Sequence, residues 1–212
     1  MNVTTHLNAM LFDYSALRPV REKIEQAFNM LSDCFSSGGK LLLCGNGGSA
    51  CDCEHIAGEL MKSFKLKRSL LVEEKAALAA QGGDGKLLAE RLQRGLPVLV
   101  LSALTGLSTA FANDVDFSMN YAQQAFVYAR EGDVLLVIST SGNARNVRLA
   151  AVAARARGAK VIALTGEGGG QLADVCDLLV DVPEVETYRA QEMHLAVYHC
   201  LCLMLETKFF EE

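Results

Sequence analysis

Lys40-Leu-Leu-Leu-Cys-Gly-Asn-Gly-Gly-Ser-Ala50 is the stretch on which the fold turns. Four apolar residues in succession, Leu41 to Cys44, predict a strand buried on both faces, as in a parallel sheet covered by helices. Glycines then break the run, and the segment 49–64 reads as a helix. Strand, glycine turn and helix make the opening unit of an α/β fold.

Upstream, Val20, Ile24, Ala27, Phe28, Leu31 and Phe35 repeat at the spacing of one helix stripe, and Gly38-Gly39 stands where that helix must stop. Downstream, the alternation continues with apolar runs at 97–102, 134–138, 160–164 and 178–182, separated by helical segments at 117–130 and 143–157. Five short strands joined by right-handed crossovers predict a doubly wound, five-stranded parallel sheet flanked by helices. A last helix, 187–206, carries the stripe Met193, Val197, Leu201 and Met204 and must pack on the domain or on a partner chain. The segment 71–94 interrupts the pattern. Its leucines and the turn Gly82-Gly-Asp-Gly85 predict two short helices, an inserted hairpin on the surface. With no repeat and no long linker, 1–212 reads as one domain, with 1–38 as its N-terminal helical region.

The 212 residues are half hydrophobic and carry a formal net charge of −5, the profile of a compact globular chain. With 20 Lys and Arg against 25 Asp and Glu and no basic tract, the sequence offers no footprint for nucleic acid or for an acidic membrane surface. The longest nearly apolar stretch, 96–104, is about half of a bilayer span, and residues 1–14 lack the order of a signal peptide. A cytoplasmic location is expected. The seven cysteines fall mostly within apolar or helical patterns, which predicts reduced thiols. Cys51/Cys53 and Cys200/Cys202 do not converge on one ion, because helical residues two apart point about 200° away from each other.

Three polar groups carry candidate chemistry. The first is Gly45-Asn-Gly-Gly-Ser-Ala50, whose glycines let backbone approach a ligand and whose following helix, opening near Ser49, offers free amides to an anion. A tight turn capped by Ser49 is the plainer reading. The run also matches the dinucleotide fingerprint, but that reading expects an acidic residue at the end of the second strand, where Ser102-Ala-Leu stands. The second group is Ser139-Thr-Ser-Gly-Asn143, hydroxyl residues between a buried strand and a helix start, suited to cradling a phosphate. The third is divided between helices: His55 and Glu59 in what reads as the first turns of one, and Gln191, Glu192, His194 and His199 on the last. His55 and Glu59, four apart, share a face in a metal-ligand or acid/base spacing. Gln191 and His199 lie about 12 Å apart along an ideal helix, so if both serve one site the helix bends or a second subunit contributes.

At these residues the chain resembles the sugar-isomerase (SIS) domain family, and within it the phosphoheptose isomerases, which convert sedoheptulose 7-phosphate to D-glycero-D-manno-heptose 7-phosphate. The likeness covers nearly the whole chain: residues 44–60 resemble the family's first motif, Asn113-Asp114 its second, 132–143 its third, and Arg189-Ala-Gln-Glu-Met-His194 with His199 its last. The resemblance implies a flavodoxin-like fold and an aldose–ketose isomerisation through an ene-diol. It implies sugar contacts from Asn46, Gly47, Gly48, Ser49, Asn113 and Asp114, with Glu59 and Gln191 also facing substrate, and phosphate contacts from Ser139, Thr140 and Ser141. It further implies zinc held by His55, Glu59, Gln191 and His199, Glu59 and His199 as the proton-transfer pair, and a homotetramer with active sites between subunits.

Two departures stand out. Ala144 replaces a phosphate-binding Ser, and Tyr188 stands where several relatives carry an acidic residue. The family also contains non-enzymes, so a phosphosugar-sensing module or a regulatory protein that binds the replication initiator DnaA is the alternative function. The set His55, Glu59 and His199 favours the enzyme.

Overall fold

The structure, a computed structural model, describes residues 2–211. Its centre is one parallel sheet of five strands, β1 (Leu41–Gly45), β2 (Val98–Val100), β3 (Val134–Ser139), β4 (Lys160–Thr165) and β5 (Leu178–Asp181), in the order β2-β1-β3-β4-β5. This is the doubly wound arrangement expected, of SIS type. Alternate residues of each strand point to opposite faces, and both faces are buried. Leu41 and Leu43 of β1 join Leu136, Ile138, Ile162 and Leu164 in one core, while Leu42 and Cys44 join Leu135, Val137, Val161 and Ala163 in the other.

The first core is closed by α1 (Thr4–Asp13), α2 (Arg21–Ser36), α3 (Gly48–Met61) and the long α9 (Thr187–Phe210). The second is closed by α7 (Asn120–Tyr128) and α8 (Arg145–Ala156). Helix α2 ends where predicted: Gly39 donates to the Cys34 carbonyl, and a Cβ on Gly39 would sit 2.4 Å from the Gly132 carbonyl oxygen. Helix α9 runs one turn past the predicted end, because Leu205, Phe209 and Phe210 also pack on the core. Helix α1 and the short α6 (Thr105–Phe111), which passes into a π-helical turn at Ala112–Asp116, have no counterpart in the sequence reading.

The insertion is the expected pair of helices, α4 (Val72–Ala79) and α5 (Gly83–Arg91), closed at its neck by an antiparallel bridge between Ser69 and Gln93. It contributes almost nothing to the cores: α4 buries no residue, and α5 buries only Gly85 and Ala89. The apolar stripes of α2 and α9 pack largely on their own chain, with Phe28 and Met193 only partly buried. The exposed large apolar residues lie elsewhere, at Met61, Leu87, Leu88, Val115, Phe117, Phe126 and Val127 among others. All seven cysteines are free thiols. Among the described residues, no helix is long and apolar enough to cross a membrane.

Candidate active site

In a sheet of this order the winding reverses between β1 and β3, and a crevice opens there beyond the carboxyl ends of the strands. Gly45 at the end of β1 pairs in register with Ile138 of β3, so the loops 46–47 and 140–144 emerge side by side. They are tied together. Asn46 and Asn146 exchange two amide hydrogen bonds of 2.8 Å, and the Tyr121 hydroxyl donates to the Gly45 carbonyl at 2.9 Å. Gly47 has a φ of +54°, a conformation that favours glycine. Ser49 is buried and makes no side-chain cap; the helix is opened by Gly47 instead.

The hydroxyl loop is clamped to the neighbouring loop after β4. Gly166 donates to the Thr140 carbonyl, Leu172 donates to the Gly142 carbonyl, and Gln171 donates to the Asn143 side chain. Gly142 sits at φ +65°, and a Cβ there would lie 1.9 Å from the Gly169 carbonyl oxygen, so no other residue fits. Ser141 accepts from the Asn143 amide, whereas the hydroxyls of Ser139 and Thr140 make no hydrogen bond among the described residues. Helix α8 begins directly behind with Ala144 as an N-cap that supplies no side-chain bond; the Val147 amide donates to Asn146 Oδ1, which leaves the amides of Arg145 and Asn146 open to an anion.

The group His55, Glu59 and His199 lies between α3 and α9, open to solvent on one side, with the His55 side chain 43% exposed. These helices run parallel, with Gln191 beside Gly48, Tyr198 and His199 beside His55, and Glu206 beside Phe64. His55 Nε2 is 3.4 Å from His199 Nε2 and 3.4 Å from Glu59 Oε1. Glu59 Oε2 is buried with no hydrogen-bond partner, its nearest cation being Lys62 Nζ at 3.5 Å. Burial, then the neighbouring His55, lowers the pKa of His199, which favours a neutral imidazole near pH 7. His55 and Glu59 fall in the middle and last turns of α3 rather than its first turns, because the helix already starts at Gly48.

The Gln191 amide does not join them. It lies over the glycine loop, so close that a Cβ on Gly48 would sit 2.7 Å from its Nε2, and α9 is one uninterrupted helix between Gln191 and His199. Asn113 and Asp114 are exposed on the π-helical turn and hydrogen-bonded to each other, with no hydrogen bond to the glycine loop among the described residues. Tyr188, also exposed, bonds to Arg189.

As a candidate metal seat the cluster offers two imidazoles and one carboxylate, whose buried Oε2 accepts no hydrogen bond, donor types suited to zinc. Ligands at about 2.0–2.1 Å around a tetrahedral ion stand about 3.3 Å apart, close to two of the edges here. As they stand, no three His, Cys, Asp or Glu side chains among the described residues enclose a common point, so a cation has to draw Glu59 and His199 inward.

Several contributors escaped the sequence reading. Tyr198 and Asp52 hydrogen-bond beside His55. Arg68 and Glu206, almost fully buried, pair at 2.8 Å beneath the cluster, where the Arg68 guanidinium also donates to the carbonyls of Glu59 and Leu60. A lone arginine in a basic stretch gave no sign of burial. His194 is wholly buried, with neither ring nitrogen in hydrogen-bond geometry, and burial takes its pKa down to about 4.

Comparison with known proteins places this geometry. The SIS domain family model matches residues 15–94 and 85–166. The phosphoheptose isomerase of Geobacter sulfurreducens is 37% identical over 210 residues, covering 99% of this chain and 98% of that protein. The chain belongs to the SIS-domain phosphoheptose isomerase family. The Rhodospirillum rubrum member is 40% identical over 183 residues, 86% of this chain and 84% of its own length. The fold agrees with the solved phosphoheptose isomerase of Neisseria gonorrhoeae at a TM-score of 0.74 and 32% identity, covering 97% of both chains. It agrees with that of Francisella tularensis at 0.76 and 29%, covering 97% and 96%.

Proposed function

We propose that this SIS-domain chain is a phosphosugar isomerase that converts sedoheptulose 7-phosphate to D-glycero-D-manno-heptose 7-phosphate. The observation that carries the reading is the meeting of His55, Glu59 and His199 in a chain that matches a phosphoheptose isomerase over 98% of that protein's length. A purely regulatory protein has no use for a carboxylate with one oxygen beside an imidazole and the other buried without a hydrogen bond.

The reaction moves a proton between the first and second carbons while charge builds on the carbonyl oxygen. Glu59 is the base at carbon: its Oε2 accepts no hydrogen bond and has only the exposed Lys62 ammonium at 3.5 Å beside it. His199, neutral near pH 7, relays the proton at oxygen. Ser139, Thr140 and Ser141 with the first amides of α8 bind the phosphate, and Asn46, Gly47, Gly48, Ser49 and Gln191 border the sugar; Asn113 and Asp114 reach it only if their segment moves or another subunit presents it. Zinc, bound by His55, Glu59 and His199, would polarise the carbonyl as a Lewis acid.

Because Gln191 lies about two helical turns from His199 on an unbroken helix, a complete site is best assembled by a second copy, in a homotetramer of cytoplasmic chains. Sedimentation of a 22.9 kDa species at micromolar concentration would overturn the shared site. The chemistry is tested by incubating the protein with sedoheptulose 7-phosphate in deuterium oxide: aldose formation with deuterium at the carbon next to the carbonyl is expected, and absence of both refutes it.

A further inference from the structure

Tyr198 is 1% exposed, and its hydroxyl lies between two acceptor-capable groups, 3.1 Å from Asp52 Oδ1 and 3.2 Å from His55 Nδ1. It has one hydrogen to give. An ionised carboxylate can only accept, so the hydroxyl hydrogen goes to Asp52 and the phenol oxygen is left to accept. Its other neighbour must then donate, which places a proton on His55 Nδ1 and leaves Nε2 with the lone pair. The three rings of His55, Tyr198 and His199 also meet edge to face, with centroids 4.9 to 5.6 Å apart, so the imidazole plane is fixed as well as its proton.

We propose that Tyr198, backed by Asp52, is a positioning residue that holds His55 in the Nδ1–H tautomer with its Nε2 lone pair aimed at His199. His199 Nε2 at 3.4 Å is equally able to give or receive a proton, whereas Glu59 Oε1, 3.4 Å from the same Nε2 but outside hydrogen-bond geometry, favours a proton there, the tautomer against which the Tyr198 hydroxyl acts. With His55 held as acceptor, His199 presents its Nε2–H towards it, and the pair has one direction of proton flow instead of two. The same lone pair is the one a cation would use. Metal-bound histidines commonly give their other ring N–H to a carboxylate, a carbonyl or water. Here a tyrosine stands between, because Asp52 lies one turn before His55 on α3 and bonds to the hydroxyl that α9 supplies.

The link to turnover rests on the isomerase reading, while the tautomer does not. The test is a long-range proton–nitrogen correlation spectrum of the full chain after dialysis against EDTA, at about pH 8 where imidazoles are neutral. Wild-type His55 is expected to show a protonated Nδ1 and a bare Nε2. Tyr198→Phe keeps the ring and its packing, so His55 should spread over both tautomers while kcat on sedoheptulose 7-phosphate falls about tenfold and KM stays within about twofold. A proton on Nε2 in the wild type, or an unchanged His55 spectrum in the variant, overturns the assignment. Wild-type protein with the Nδ1–H signature and no turnover refutes the isomerase reading and leaves the tautomer assignment standing.

Discussion

Replacing Glu206 by Gln removes one charge from the best-buried ion pair in the chain, and its cost can be worked from the contacts. Arg68 and Glu206 have side chains 0% and 1% exposed. Glu206 accepts from the amides of Phe64 and Lys65 at 2.9 Å and from Arg68 Nε at 2.8 Å; Arg68 in turn donates to the carbonyls of Leu60 and Glu59 at 2.7 and 2.9 Å. The pair therefore closes the C-terminal end of α3 and anchors it to α9. The substituted glutamine would still fill the space and offer one acceptor, but it would leave a guanidinium buried without a counter-charge, a loss of about 3–5 kcal/mol. For a chain of this size that is a fall in Tm of roughly 6–20 °C. Burial alone would raise the Glu206 pKa, but the amides of Phe64, Lys65 and Leu66 and the Arg68 guanidinium outweigh it and hold the carboxyl below its usual value. The native state thus binds that proton less readily than the unfolded chain, so the contribution is complete above the ordinary carboxylate range and is lost as pH falls through it. Thermal unfolding followed by circular dichroism at neutral pH checks the first figure. A Tm for Glu206→Gln within about two degrees of wild type would refute the view that the pair clamps the two helices.

Glu59→Gln keeps size and hydrogen-bonding reach but removes the base, so kcat should fall at least about 100-fold while substrate still binds, as steady-state kinetics and calorimetry will read. Replacing Ser139 and Ser141 together by Ala should weaken sugar-phosphate binding by roughly 2–4 kcal/mol, and unchanged affinity by calorimetry would remove that loop from the site. His194, held near a pKa of about 4, binds its proton less readily folded than unfolded, so stability is complete above pH 6.5 and declines towards pH 4. By pH 5 this loss is about 2 kcal/mol, read as a pH-dependent drop in urea midpoint that His194→Leu should reduce. Excising the hairpin at its neck, joining Ser69 to Gln93 through a short turn, should leave a folded protein; insoluble product would make α4 and α5 a necessary contact.

The legible parts of this chain are those in which local sequence and tertiary demand agree. The apolar runs at Leu41 to Cys44 and Val134 to Ile138 became strands because no surface position is compatible with them, and the glycine and hydroxyl loops followed from where those strands end. The pairing of His55 with His199 was not legible from spacing, since it depends on the rotation and register of two helices at opposite ends of the fold's sequence, and only the resemblance brought the two together. Tyr198, Asp52, Arg68 and Glu206 were invisible for the same reason: each is an unremarked polar residue until α9 lies parallel to α3. Helix α1 was missed because its apolar residues Leu7, Met10 and Leu11 are few and it is amphipathic only against α9.

The two halves of the site are held by different physics, and this bears on how each tolerates change. The phosphate loop is fixed by backbone: Gly142 and Gly166 lie within contact of opposing carbonyls, and the hydrogen bonds from Gly166 and Leu172 leave no slack between the loops after β3 and β4. A side chain at Gly142 has no room to be accommodated, whereas Ala144, two residues on, makes no side-chain bond that a substitution would break. The acid/base group is fixed by side chains instead, through the Arg68–Glu206 pair below and the Tyr198–Asp52 contact alongside. Substitutions there change one bond at a time, so under the proposed function the loop would govern whether a phosphate is held and the helix pair what is done to the sugar attached to it.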